Sequence, residues 1–130
     1  MPLLSTIFTA IEALANYGLP IFVGLSCSQI DKSKELYLGI LESRNYSDEG
    51  DIFFHEPFDS AMGKLVDRGG YSALLMMHSE IDVIQPAVRG LCEKYRGPVG
   101  AYPNAGYWKR PQWVFVDQIS PDDYVQKARS

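Results

Sequence analysis

Ser72–Asn104 reads SALLMMHSEIDVIQPAVRGLCEKYRGPVGAYPN. An apolar run ends at His78-Ser79, and a second ends at Tyr102-Pro103-Asn104. Between them Ile84, Ala87, Val88, Leu91, Cys92 and Tyr95 recur at helical spacing, which predicts a helix with these residues, Cys92 included, in the core. The stretch is thus a strand, a crossover helix and a second strand. Pro86 suits the first turn of that helix, where its missing N–H is no loss. Gly97-Pro98 ends the unit. Both strands finish in polar residues, and α/β folds keep their chemistry at such ends.

Upstream, Ser5 or Thr6 can cap a first helix whose face is Ile7, Ala10, Ile11 and Leu14, stopped by Gly18 and Pro20. Pro20–Ser26 is short and apolar, the pattern of a strand buried on both faces. A second helix runs from Phe58 to Arg68 over Phe58, Ala61, Met62, Leu65 and Val66, with Gly69 as its stop. Between them, Cys27 to about His55 is polar and without a sustained period, and Leu36–Leu41 reads as a short helix or turn. So long a connection is uncommon in a compact domain unless it is functional or mobile.

Downstream, Gly106–Gln112 is turn-rich and aromatic, and Trp113–Val116 is β-prone. Ser120-Pro121-Asp122-Asp123 opens a last helix with a capping Ser, a Pro at the first position and acid in the first turn. The order α-β-α-β-α-β-α implies a parallel sheet in one α/β domain spanning residues 1–130, either a (β/α) barrel segment or a small open sheet.

The chain has 130 residues, 46% hydrophobic and 22% charged, with net charge −4. That is the composition of a globular domain. With no Lys/Arg block, nucleic acid and anionic membrane surfaces are excluded as expected partners. No apolar run approaches the ~18 residues of a spanning helix. No leader peptide is recognisable, and two cysteines are too few for a disulfide framework, so a cytoplasmic location is expected.

From His78 onward the chain resembles the homocysteine S-methyltransferase family. ALLMMHSEIDVIQPAVRGL resembles that family's strand leading into a G-V-N-C-type turn and helix. GPVGAYPNAGYW resembles its strand ending in a Y-P-N-x-G turn. The SPDDYV helix start, and the order PIFVGLS, long loop, FDSAMGKLVDRG, extend the likeness over most of the chain. The resemblance implies a (β/α)8 TIM barrel that transfers a methyl group to the thiol of homocysteine, in methionine biosynthesis. It implies zinc as cofactor, and S-methylmethionine, S-adenosylmethionine, betaine or a folate as methyl donor.

The strands then correspond to the fifth, sixth and seventh of eight. His78 stands where the family has a cysteine ligand, and the family's vicinal cysteine pair belongs to a last strand beyond Ser130. The expectation is therefore an incomplete barrel, inactive alone, that self-associates through its open sheet edges; the alternative is a non-catalytic remnant or interaction module. Zinc would hold the acceptor sulfur as thiolate, which is why the chemistry wants it.

Each candidate residue has two readings. His78 is a zinc ligand, a substrate contact or an acid/base group; otherwise it is a polar loop residue. Asn104 orients the carboxylate or amine of the substrate, or belongs to a tight Pro103–Gly106 turn. Ser79 contacts substrate or caps the following helix. A lone Cys27 past a strand end is usually a small buried hydrophobe. His55, Asp48, Glu49 and Asp51 read as a solvated loop. Tyr102, Tyr107, Trp108 and Trp113 line a pocket, cap the sheet or meet a protein partner.

Overall fold

The computed structural model describes residues 3–29, 35–39, 56–109, 112–115 and 119–129, with side chains at all of these except 107–109 and 113. The elements are α1 (Leu3–Ala15), β1 (Phe22–Leu25), β2 (Cys27–Gln29), β3 (Leu36–Leu38), β4 (Glu56–Pro57), α2 (Phe58–Arg68), β5 (Ala73–Glu80), α3 (Ile81–Lys94), β6 (Val99–Asn104), β7 (Gly106–Lys109), β8 (Gln112–Phe115) and α4 (Pro121–Arg129). This is a mixed α/β fold around a parallel three-stranded sheet of order β1-β5-β6.

The three strands lie side by side in chain order, and the register sorts their residues by face. Phe22 pairs with Ala73, Gly24 with Leu75 and Gly100, and Met77 with Tyr102 on one face. Val23, Leu74 and Val99, then Leu25 and Met76, occupy the other, because side chains alternate along a strand.

Among the described residues, helices cover only the second face. Val23, Leu25, Leu74 and Met76 join one core with Leu4 and Ile11 of α1, Phe58, Ala61, Met62 and Leu65 of α2, and Val83, Ile84, Ala87 and Leu91 of α3. The spacing of Phe58, Ala61, Met62 and Leu65 makes one helical stripe, and each fully buried leucine contributes about 2 kcal/mol. Gly69, at φ 61°, ends α2 in a conformation that favours glycine, and its N–H reaches the Leu65 carbonyl at 3.1 Å. Arg68 pairs with Glu12 across α1 and α2 at 3.5 Å and lies over the Phe8 ring.

Several expectations change. β1 alternates exposed and buried residues rather than being buried twice, because nothing among the described residues covers Phe22 and Gly24. α1 begins at Leu3, ahead of the expected caps, and its buried residues are Leu4 and Ile11, while Leu14 stays about half exposed. Leu36–Leu38 is a strand, the centre of a small antiparallel sheet β2-β3-β4 that leaves the end of β1.

α3 starts directly after β5 with no loop, so Pro86 falls inside the helix, one turn deeper than expected. There it removes an N–H that would have met the Asp82 carbonyl. Cys92 is exposed rather than core: the stripe is Val83, Ile84, Ala87 and Leu91, and Cys92 falls one position outside it.

Gly106–Lys109 and Gln112–Phe115 pair as antiparallel strands β7 and β8 rather than forming another parallel strand, with Trp108 opposite Trp113 in register. α4 opens as the sequence predicts. Ser120 Oγ accepts the Asp123 N–H at 3.1 Å and donates to Asp123 Oδ2 at 2.8 Å, a cap at the first turn. No residue of α4 is buried.

Candidate functional site

The strand ends that the sequence marks out converge at the C-terminal edge of the parallel sheet. β5 does not end cleanly there. Its pairing with β6 slips between Met77 and Glu80, so that Glu80 stands opposite Asn104. His78 takes up the slip with φ 52°, the one positive φ at a non-glycine residue among those described. A left-handed imidazole-bearing residue costs about 1 kcal/mol or more and recurs at bulges that re-aim a side chain. Here the ring is exposed and stands edge-on to Tyr102, with centroids 6.4 Å apart.

Ser79 has the opposite environment. It is 4% exposed, the one buried polar residue among those described. Its hydroxyl accepts the Cys27 N–H at 2.9 Å and donates to the Met77 carbonyl at 2.9 Å. It therefore ties the start of β2 across to the end of β5. The helix-cap reading fails on geometry: the residue before α3 is Glu80, and no side chain caps that helix. With its proton committed to the Met77 carbonyl, Ser79 holds the rim of the sheet together.

Cys27 is buried, with its thiol 3.6 Å from Ser79 Oγ. Burial pushes the thiol pKa up, and the Ser79 contact only partly offsets this. A protonated, enclosed thiol is a poor nucleophile. The hydrophobe reading of Cys27 therefore holds.

Asn104 is half-buried at the end of β6, still paired in the sheet, and the chain bends only at Ala105 before β7. The tight-turn reading of Pro103–Gly106 gives way to strand, bend, strand. The edge thus brings together an exposed imidazole (His78), an aromatic face (Tyr102), an amide (Asn104) and the Glu80 carboxylate. Such a set can hydrogen-bond a small polar ligand. Among the described residues, no three His, Cys, Asp or Glu side chains assemble a metal site. His78 alone does not fit zinc, and ligands from elsewhere would have to join it. His55, Asp48, Glu49 and Asp51 lie outside the described residues, as do the side chains of Tyr107, Trp108 and Trp113.

A second feature lies on the sheet itself. The face of the sheet away from the helices is apolar and, among the described residues, open. Phe22 and Tyr102 are each 64% exposed upon it. Leu75 and Met77 lie over Gly100 and Gly24, where a Cβ would collide with them. At the foot of the sheet, Leu14, Tyr17, Leu19, Pro20, Ile21 and Phe22 line a groove of about 390 Å³ that continues this surface. A signal existed: Phe22, Gly24 and then Gly100, Tyr102 alternate large and small with period two.

No helix among the described residues is long and apolar enough to cross a membrane. Comparison with known protein families, with curated proteins and with solved structures finds no match in any of the three.

Proposed function

We propose that this chain supplies part of a (β/α)8 TIM barrel of the homocysteine S-methyltransferase kind, whose complete form moves a methyl group to the thiol of homocysteine. The observation that carries the reading is the winding of the sheet. Three parallel strands run in chain order with every packed helix on one face. Doubly wound sheets place helices on both faces, whereas a barrel keeps them outside and fills the inner face with side chains from other strands. The open face carries the mix of small and large residues that barrel layers use, Gly24, Ala73 and Gly100 beside Phe22, Leu75 and Met77.

In this reading Asn104 holds the carboxylate or amine of the amino-acid substrate through its amide, and His78 stands at the mouth within reach of the polar end of the ligand. In the family zinc supplies the activated thiolate. No step is assigned to it here, since His78 lacks companion ligands among the described residues. With three parallel strands the barrel is open, and the chain alone binds without turning over. A cytoplasmic location belongs to the same reading. The alternative is a non-catalytic remnant or interaction module, and the exposed apolar face favours that second reading where the ligand test fails.

The test is a titration of the isotopically labelled chain with L-homocysteine, followed by NMR, with product analysis in the presence of candidate methyl donors. Resonances of His78 and Asn104 should move at millimolar ligand, with no methylated product. Undisturbed resonances at the strand ends would overturn the homocysteine reading and leave the interaction module.

A further inference from the structure

We propose that the open face of the sheet is the contact between two copies of this chain, packed sheet against sheet about a two-fold axis. The inference rests on the one-sided covering of the sheet and does not require methyl transfer.

A parallel sheet is almost always covered on both faces, because its strands bury apolar side chains on each. Among the described residues one side is covered and the other presents Phe22, Leu75, Met77 and Tyr102, with Glu80, opposite Asn104 at the C-terminal edge, as the one charged residue at its paired positions. Glu80 is exposed at that edge, so a chain of net charge −4 can bring the apolar centres of two such faces together and leave the carboxylates at the rim.

The layout is also self-complementary, as an isologous contact requires. Phe22 stands at one corner of the face, at the start of β1, and Tyr102 at the diagonal corner, near the end of β6. The middle row is Gly24, Leu75 and Gly100, with the Met77 and Leu75 side chains lying over the two glycines. A copy turned over about an axis across the strands sets Phe22 beside Ser26 and Tyr102 beside Pro98, each above a corner without an aromatic, and holds the two Glu80 carboxylates at opposite ends. Aligned sheets pack about 10 Å apart in this way.

The available area suits a stable contact. Phe22 and Tyr102 are 64% exposed, and Tyr17 and Leu19 in the adjoining groove are 74% exposed. At 150–250 Å² per aromatic side chain, these residues with Leu14, Leu75 and Met77 approach the ~800 Å² per partner of a specific interface.

Sedimentation velocity of the full chain across the micromolar range tests this. The expected result is a monomer giving way to a species of twice the chain mass and no larger. Phe22→Asn and Tyr102→Asn should each raise the dissociation constant about tenfold or more. In case either variant folds poorly, nitration of the wild-type tyrosines is a second readout. Tyr102 should become protected as the dimer forms, while Tyr124 on α4 should not. A monomer at every concentration overturns the inference. So does a species that keeps growing, which would mark pairing through the free edges of β1 and β6, or association that leaves Tyr102 as reactive as before.

Discussion

The two faces of the β1-β5-β6 sheet carry similar numbers of apolar residues and have opposite fates. On one, Leu74 and Met76 are wholly buried under α1, α2 and α3. On the other, their chain neighbours Leu75 and Met77 lie over glycines beside exposed Phe22 and Tyr102. The strands themselves do not decide this. The crossovers do: consecutive right-handed connections that keep moving in one direction leave every helix on the same side. Hydrophobicity records that a face wants to be covered, and topology records whether this part of the chain covers it.

The contrast should break most sharply at adjacent positions of β5. Leu74→Ala removes side-chain atoms from a packed core and should cost about 2–5 kcal/mol in urea unfolding. Leu75→Ala, one residue on, should cost about 1 kcal/mol or less in dilute solution, since half-buried side chains lose little area. Equal losses would mean that the second face is packed after all.

At the end of the same strand the comparison moves to polar groups. Ser79→Ala leaves the Cys27 N–H buried without its acceptor and should cost about 1–3 kcal/mol. His78, next to it and exposed, should tolerate Ala with little change. A smaller effect is expected from backbone conformation. At φ 52°, His78→Val should destabilise by about 1 kcal/mol, whereas His78→Gly should be neutral or stabilising. Urea midpoints for the pair check the sign.

The smallest effect is a pH dependence. The Cys27 thiol is held protonated by burial, so its folded pKa lies above its unfolded one. Its contribution to stability is complete below the unfolded value of about 8.5 and is lost as pH rises from there toward the folded value. Unfolding midpoints between about pH 8 and pH 10 should fall, and Cys27→Ala should flatten that fall. In the native chain an alkylating agent should modify exposed Cys92 well before Cys27.

Much of the fold was legible in the sequence. The helical period of Phe58, Ala61, Met62 and Leu65 gave α2 to the residue, because that helix is bounded by Pro57 and a left-handed Gly69. Ser120 announced α4 in the same local way. What stayed hidden depends on partners distant in sequence. Leu36–Leu38 has no period of its own and is a strand because β2 and β4 pair with it. Cys92 continues the helical period but is exposed, because packing of α3 against β5, β6 and α2 buries the Val83, Ile84, Ala87 and Leu91 side of the helix.

At the candidate site, the position of His78 and Asn104 at strand ends was readable from the apolar runs. The left-handed bulge at His78 was not, since nothing local demands it. Nor was the role of Ser79, whose partner Cys27 lies 52 residues away. That one face of the sheet is open could be read only once the side taken by every helix was known.

Met76 and Met77 test the central claim most directly, being neighbours in one strand on opposite faces of the sheet. The chain is exposed to dilute hydrogen peroxide at a concentration low enough to keep it monomeric, and each sulfoxide is followed by mass spectrometry. A sheet covered on one side predicts that Met77 oxidises many times faster than Met76, which is fully buried. Equal rates, or faster oxidation of Met76, would contradict it.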